Sequence, residues 1–277
     1  MSGPAVALFN GAPLTADWAL SRGLHYGDGV FRTVLRHRAR WIDWSAQLAK
    51  LSDDAARIDL RAPDAATLTA EADALAGDQA DAVLKILLWR AGAGRGYRSD
   101  ASSAERLLLR YPVPQFPAAH WTQGIRAFRS RVTLSAQPRL AGIKHLNRLE
   151  QVLASRDWPN DAQEGILLSA AGGPVCGTRS NLFWAKHGRL FTPDLRDSGV
   201  AGMMRGRVLA LAQQMEIQIE TGSYPLQALL DADEAFVTNS LIGLWPLQSF
   251  ETRVWAVPGA TTRRLSAALA HPLIAAP

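Results

Sequence analysis

The stretch Ala141-Gly-Ile-Lys-His-Leu-Asn-Arg-Leu-Glu-Gln-Val-Leu-Ala-Ser155 decides how the chain is interpreted. At its centre Lys144 precedes leucines and a valine that recur at helical spacing. The pattern predicts a lysine where a loop or strand end enters a helix. Because the chain contains only four lysines, chemistry that needs a primary amine has few places to occur. Taken alone, a lysine of this kind is more often a surface residue than a reactive one.

The composition of the chain is typical of a soluble globular protein. Its 277 residues are 48% hydrophobic and 20% charged. The formal net charge of +5 comes mainly from arginine, since only four of the 30 basic residues are lysines. Arginine suits the capture of carboxylates and phosphates. The arginines are scattered and form no basic run, a pattern that disfavours nucleic-acid binding.

Cysteine use and hydropathy limit the class of protein further. The single cysteine, Cys176, excludes an intrachain disulfide and a cysteine metal cluster. The first residues lack a basic segment and a long apolar core, and no stretch approaches the roughly 18 apolar residues of a membrane span. The sequence therefore predicts a cytoplasmic protein with no membrane partner.

Three prolines, Pro112, Pro114 and Pro117, predict a linker. They divide the chain into an N-terminal α/β domain (residues 1–113), a linker (114–121) and a C-terminal domain (122–277). Apolar periodicity predicts helices over residues 44–58, 65–76 and the stretch after Gly199. It predicts strands over 6–9, 82–89, 106–111, 125–128, 165–169, 181–184 and 234–243, the last of which ends in a polar turn.

Two glycine-rich stretches each allow two interpretations. Gly27-Asp-Gly29 fits a bulged hairpin or a close approach of backbone to a ligand or another segment. The loop from Arg90 to Tyr97, which holds Arg95, fits a flexible hairpin loop or a binding loop; it lacks the Lys-Ser/Thr of a nucleotide-binding loop.

Backbone that could bind an anion recurs in the second half of the chain. Gly202, Met203 and Met204 lie just ahead of a predicted helix, whose N-terminal N–H groups would suit a phosphate. A phosphate site together with a scarce lysine suggests pyridoxal phosphate, whose aldehyde reacts with a lysine amine. No Gly-x-Ser-x-Gly elbow or zinc-type histidine pair supports a hydrolase or a metal site.

Five motifs then occur in the order found in the fold-type-IV pyridoxal-phosphate enzymes, which the chain resembles over nearly its full length. This family includes the branched-chain and D-amino-acid aminotransferases and 4-amino-4-deoxychorismate lyase. The resemblance implies an α/β (α+β) two-domain architecture with pyridoxal 5'-phosphate between the domains, the C-terminal one being the cofactor-binding domain, and a homodimer. The motifs are Gly27-Asp-Gly-Val-Phe31, Ile143-Lys-His-Leu-Asn147, Gly177-Thr-Arg-Ser-Asn-Leu-Phe183, Gly202-Met-Met-Arg205 and Thr238-Asn-Ser-Leu-Ile242.

Three features resemble the lyase branch of this family in particular. They are the loop Gly92-Ala-Gly-Arg-Gly-Tyr97, the segment Lys144-His-Leu-Asn-Arg-Leu-Glu-Gln-Val152 and a threonine at position 33. The implied reaction converts an anionic substrate, 4-amino-4-deoxychorismate, to 4-aminobenzoate and pyruvate for folate biosynthesis.

The resemblance also implies roles for individual residues. Lys144 would hold the cofactor covalently and act as the base, and Thr33 would assist proton delivery to the departing enolpyruvyl group. Arg95, with Tyr97, would bind the substrate. The remaining cofactor-binding residues would be Lys50, Cys176, Thr178, Met203, Met204 and Ser240.

Two positions depart from the family pattern. Lys50 stands where the family usually has a phosphate-binding arginine, so that the charge is kept but the bidentate fork is lost. Cys176 stands where most members have a glutamate that pairs with the pyridine nitrogen. A neutral thiol would hold a protonated pyridine less well, which a lyase would tolerate better than a transaminase.

Two other functions remain open. An aminotransferase of the same fold, acting on D- or branched-chain amino acids, is disfavoured by Thr33 and the Arg95 loop. A non-catalytic, arginine-rich binding protein would lack the visible colour of bound cofactor.

Overall fold

The computed structural model describes residues 6–14, 16–92 and 95–274, and its contacts divide the chain into two compact units. The first unit comprises Met1–Gln115 and the short segment Ile143–Asn147. The second comprises Phe116–Gly142 and Arg148–Pro277. Lys144 thus packs with the first unit, whereas the predicted domain boundaries place it in the second.

A six-stranded antiparallel sheet forms the centre of the first unit, in the order β2-β1-β6-β5-β3-β4. A 3-10 helix at Ala16–Leu20 precedes the first α-helix. The strands are β1 (Val6–Phe9), β2 (Ala12–Pro13), β3 (Gly29–His37), β4 (Arg40–Trp41), β5 (Ala82–Arg90) and β6 (Ala104–Tyr111), and the helices are α1 (Arg22–Tyr26), α2 (Trp44–Ala56) and α3 (Ala65–Ala76).

Helices α2 and α3 and the sheet share one apolar core. Leu48 and Leu51 of α2 and Leu68 of α3 are buried in one cluster with Leu84 and Leu88 of β5. Leu48 and Leu51 lie on one face of α2 because they are three residues apart, and Leu84 and Leu88 lie on one face of β5 because their positions differ by an even number.

A nine-stranded sheet forms the centre of the second unit, in the order β12-β11-β10-β13-β14-β7-β8-β9, with β15 paired to β14. The strands are β7 (Ile125–Leu134), β8 (Glu164–Ser169), β9 (Pro174–Gly177), β10 (Asn181–Lys186), β11 (Arg189–Pro193), β12 (Ile219–Gly222), β13 (Glu234–Asn239), β14 (Gly243–Phe250) and β15 (Arg253–Val254), and the helices are α4 (Ala119–Thr122), α5 (Leu149–Arg156), α6 (Met203–Gln214), α7 (Leu226–Leu230) and α8 (Ala260–Leu269).

Strand β9 closes this sheet on itself, because it pairs both with β8 and, through Cys176 and Asn181, with β10. Most pairings are antiparallel, but β7 runs parallel to both β8 and β14, and β11 runs parallel to β12. Three apolar clusters cover the sheet. One contains Trp184 and Trp245, a second packs α6 and α8 against Phe236, and a third packs α5 against strands β7, β8 and β9.

The mixed α/β prediction is confirmed, and the main periodic stretches form the predicted elements. Asn10-Gly11, a pair typical of tight hairpin turns, joins β1 to β2, with both residues at positive φ. One expectation is wrong: no helix begins at Lys144. Helix α5 starts at Leu149, because residues 143–147 bond to β3 instead.

Among the described residues, no helix is both long and apolar enough to cross a membrane. Over the same residues, no group of three or more His, Cys, Asp or Glu side chains could hold a metal ion.

Candidate functional site

Lys144 is held by its backbone on both sides. Its carbonyl accepts a hydrogen bond from Phe31 N (2.9 Å), and its own N–H donates to Asp54 Oδ2 (3.2 Å). Leu146 N donates to Gly29 O (2.9 Å). The segment therefore extends the sheet at the N-terminal half of β3, since β4 pairs only with the other end of that strand.

Close backbone approach explains the glycines of the motif that precedes β3. A Cβ on Gly29 would lie 2.0 Å from Leu88 O, and one on Gly27 would lie 2.5 Å from Asn147 Oδ1. Gly27 also has φ +60° as the C-terminal cap of α1. The bulged-hairpin interpretation is therefore wrong, since Gly27 makes room for the segment that carries Lys144 and Gly29 makes room mainly for the backbone of β5.

In the first unit, the ammonium groups of two lysines contact the same aromatic ring, that of Phe31. Lys144 Nζ lies 4.5 Å from the ring centroid of Phe31, and Lys85 Nζ lies 5.1 Å from the same centroid. Thr33 is the register partner of Lys85 across β3 and β5 and is half-buried. Phe31 and Thr33 lie on one face of β3, because they are two residues apart. Burial lowers the pKa of Lys85 below its ordinary value.

Lys50, predicted to bind the cofactor, forms an ion pair with Asp54 one helical turn along α2. Asp54 is fully buried and also pairs with the buried Arg32 of β3. Desolvation lowers the pKa of Arg32, and the charge of Asp54 opposes that shift. Lys50 thus directs its ammonium to a carboxylate of its own helix, and its role in cofactor binding stays a prediction.

The predicted substrate-binding residues Arg95 and Tyr97 are exposed, in a loop that the buried Arg22 anchors. Arg22 donates to Gly96 O (2.9 Å) and Tyr97 O (3.1 Å), and its Nε donates to Asp28 Oδ2 (2.9 Å). Two residues of this loop, Ala93 and Gly94, lie outside the described residues.

In the second unit, helix α6 begins at Gly202 without a side-chain cap. Gly202 N donates to Asn181 Oδ1 (3.1 Å), which fixes the start of the helix. The N–H groups of Met203 and Met204 stand in the first turn, where an α-helix provides no backbone acceptor. This N-terminus therefore offers donors and a favourable dipole to an anion.

Cys176 is buried on β9, near Arg148. Desolvation lowers the pKa of Arg148, and the fields of Cys176 and Glu150 oppose that shift. The position predicted to face a pyridine nitrogen thus has a thiol with a guanidinium close by.

Thr178 and Ser240, both predicted to bind the cofactor, already take part in internal hydrogen bonds. The hydroxyl and the N–H of Thr178 both donate to Glu164 Oε1, which is fully buried. Ser240 is half-buried in the turn after β13, and its carbonyl accepts a hydrogen bond from His271 Nε2 (3.0 Å). The hydroxyl of Thr178 is therefore committed to Glu164 within the fold.

Three charged residues of these networks, Lys85, Asp54 and Glu164, are not predicted from the sequence. Lys85 interrupts an apolar strand, and Asp54 lies on the apolar face of α2 beside Leu51. A charged residue inside an apolar pattern is therefore the sequence feature that could have indicated both residues. Glu164 stands at the start of β8, and nothing in its neighbourhood in the sequence distinguishes it.

Comparisons with known proteins agree on one family. The amino-transferase class IV model matches residues 29–250. The chain is 33% identical over 263 residues to aminodeoxychorismate lyase of Vibrio harveyi. The aligned region covers 92% of this chain and 96% of the relative. The crystal structure of 4-amino-4-deoxychorismate lyase from Pseudomonas aeruginosa is similar with a TM-score of 0.90 and 37% identity, over 97% of this chain and 100% of that chain.

A branched-chain amino acid aminotransferase of Escherichia coli shares the fold at lower similarity. Its TM-score is 0.82 with 23% identity, over 96% of this chain and 93% of that chain. This likeness concerns the fold alone.

Proposed function

The chain belongs to the class IV aminotransferase family, and we propose that within it the protein is a pyridoxal-phosphate-dependent lyase. It converts 4-amino-4-deoxychorismate to 4-aminobenzoate and pyruvate. The similarity to the Pseudomonas aeruginosa lyase over its whole length carries this proposal. Folate synthesis as the pathway, a cytoplasmic location and a homodimer are finer predictions that accompany it.

The residues present fit the cofactor. Lys144 supplies a primary amine on a segment whose backbone is fixed by hydrogen bonds. The uncapped N-terminus of α6 supplies N–H groups that suit a phosphate, with Met203 and Met204 as the proposed donors.

When bound, pyridoxal phosphate supplies an aldehyde for amines and a pyridine ring that withdraws electrons from the substrate carbon bearing nitrogen. Lys144 accepts the proton from that carbon. The bond from the adjacent ring carbon to the enolpyruvyl oxygen breaks, and its electron pair leaves with the oxygen. Thr33 relays a proton to the enolpyruvyl methylene carbon, which yields pyruvate. The ring, having lost one proton and the leaving group, becomes aromatic.

Cationic side chains of the first unit are suited to a substrate with two carboxylates. Arg95 has the planar fork for a bidentate contact. Lys85, on the same ring as Lys144, is a second candidate, since a half-buried ammonium is stabilised by an anion.

The direct test incubates the purified protein, supplied with pyridoxal phosphate, with 4-amino-4-deoxychorismate and measures pyruvate and 4-aminobenzoate. Equal amounts of the two products are expected. Lys144→Ala should lose both the product and the visible absorbance of the bound cofactor, and no borohydride-fixed adduct should form. Transfer of the amino group to a keto acid without pyruvate would instead establish the aminotransferase.

Cys176 should affect the balance between these two reactions. Replacing it by glutamate would place a carboxylate where the family usually pairs one with the pyridine nitrogen, so we expect Cys176→Glu to raise transamination relative to lyase turnover. Unchanged rates of both reactions would show that Cys176 does not affect the balance between them.

A further inference from the structure

Asp54 accepts hydrogen bonds from more groups than Arg32 alone. It is fully buried on α2, and its two oxygens accept from three donors. Oδ1 pairs with Lys50 Nζ, while Oδ2 pairs with Arg32 Nη2 and accepts the backbone N–H of Lys144 at 3.2 Å. The third donor lies 90 residues further along the chain. A buried carboxylate is costly unless such partners satisfy it.

The bond from Lys144 completes the fixation of that residue. Its carbonyl is tied to Phe31 N of β3, so one peptide group next to its Cα is held by the sheet. The other peptide group is held by Asp54 from helix α2. With both peptide planes fixed, the Cα–Cβ bond of Lys144 has one direction, and its Nζ lies over the ring of Phe31.

We propose that Asp54 is a positioning residue of the reaction, which directs the amine of Lys144 by holding that residue's backbone N–H. The inference rests on the proposed function, in which this amine binds pyridoxal phosphate and moves the proton. Asp54 acts without touching substrate or cofactor. The same carboxylate also holds the ammonium of Lys50, so it organises two of the four lysines in the chain.

Hydrogen exchange of the cofactor-free protein tests the central bond. The amide of Lys144 should exchange at least about tenfold more slowly in the unmodified chain than in a variant that carries Arg32→Met and Asp54→Leu and therefore lacks the acceptor. One net hydrogen bond corresponds to a factor of this size. Asp53→Asn is the matched control, because Asp53 is the exposed neighbour on the same helix and its loss should leave this exchange unchanged. Rapid exchange in the unmodified protein would overturn the proposal.

A pair of double variants separates positioning from stability. Arg32→Met with Asp54→Asn, and Arg32→Met with Asp54→Leu, both remove the buried ion pair, so neither leaves a buried charge unmatched at Arg32. Only the asparagine keeps an oxygen that can accept from Lys144 N–H. Lys50, about a quarter exposed, can turn to solvent in both.

The measurement is the rate at which pyridoxal phosphate attaches to Lys144 in each folded variant, followed by visible absorbance and by borohydride fixation. We expect the leucine variant to react about tenfold more slowly than the asparagine variant, while the latter stays close to the unmodified chain. Equal rates in the two double variants would overturn the proposal.

Failure of the proposed function would look different. If the protein does not use pyridoxal phosphate, the unmodified chain will take up none on Lys144, whereas the exchange measurement, which needs no cofactor, still decides whether Asp54 holds the backbone. If only the lyase activity fails, the cofactor still attaches to Lys144 and the comparison of the double variants still applies. If the leucine variant does not fold, slow exchange of the Lys144 amide in both the unmodified and the asparagine-containing chains supports the proposal, and rapid exchange in the unmodified chain overturns it.

Discussion

At the scale of single residues, Thr33 tests the proposed proton delivery. Its hydroxyl is on the same face of β3 as Phe31, next to Lys85 on β5. Thr33→Val keeps the shape but removes the hydroxyl, so we expect kcat to fall by about 10²–10⁴-fold. The visible absorbance of the bound cofactor should be retained, and Thr33→Ser should recover most of the activity. Steady-state rates of pyruvate formation provide the measurement, and a valine variant within twofold of the unmodified enzyme would assign the proton to another donor.

Lys85 should give the reaction an alkaline limit. Burial lowers the pKa of its ammonium from the ordinary value of 10.5, so its charge is present below the lowered pKa and is lost as the pH rises through it. If this ammonium binds a substrate carboxylate, KM should rise across that range. Lys85→Met should show a KM about tenfold higher at neutral pH, with this alkaline rise absent.

The control for this prediction is Lys186→Met, which removes a lysine of β10 in the second unit. It should leave both KM and its pH profile unchanged. A Lys85→Met variant with the original pH profile would show that another group titrates.

At the scale of elements, periodicity predicted most helices and strands because each buries one face on a sheet. Helix α6 begins where the glycine and the apolar spacing indicate. The segment of Lys144 is different. Its leucines and valine suggest one continuous helix, but Leu149, Val152 and Leu153 are exposed in the chain, and residues 143–147 bond to β3. Hydrogen bonds between segments more than 100 residues apart cannot be predicted from the residues next to them in the sequence.

Glu164 holds the turn between β9 and β10. Its carboxylate accepts from Gly165 N and Thr178 N, both at 3.0 Å, and from the hydroxyls of Thr178 and Ser180. Glu164→Ala would leave buried donors without an acceptor, so the free energy of unfolding should fall by about 3 kcal/mol or more. Urea unfolding provides the measurement.

The matched control is Glu164→Gln, whose amide oxygen can keep the contacts of Oε1 while the rotating hydroxyl of Ser180 accepts from the amide nitrogen. It should cost about 1 kcal/mol or less. Equal losses in the alanine and glutamine variants would show that the negative charge, and not the set of hydrogen bonds, stabilises the turn.

At the scale of the whole molecule, the sequence allowed the family and the lysine to be predicted together, because the five motifs keep their order along the chain. The surroundings of that lysine could not be predicted in the same way. The contacts of Asp54 with Arg32 and with Lys144 N–H depend on how α2 packs on β3, and only the pairing with Lys50 is local. A scarce residue type is visible in a sequence, whereas its hydrogen-bond partners become visible only in the fold.

Helix α5 presents an apolar surface that suits a second copy of the chain. Leu149, Val152 and Leu153 are 69%, 55% and 41% exposed, and their spacing places them on one side of the helix. Adjacent exposed leucines and valines are unfavourable in water, and such a group often marks an interface. The homodimer predicted from the family resemblance would cover them.

We therefore expect a solution mass of twice the 30.0 kDa of the chain, measured by light scattering at micromolar concentration. Leu149→Asp with Leu153→Asp would place two carboxylates on the face that the partner covers, where desolvation is costly, so the mass should fall to that of one chain. Val254→Asp is the matched control, since Val254 is 68% exposed on β15, and it should leave the mass unchanged. A monomeric unmodified protein, or a double variant that remains dimeric, would exclude α5 from the interface.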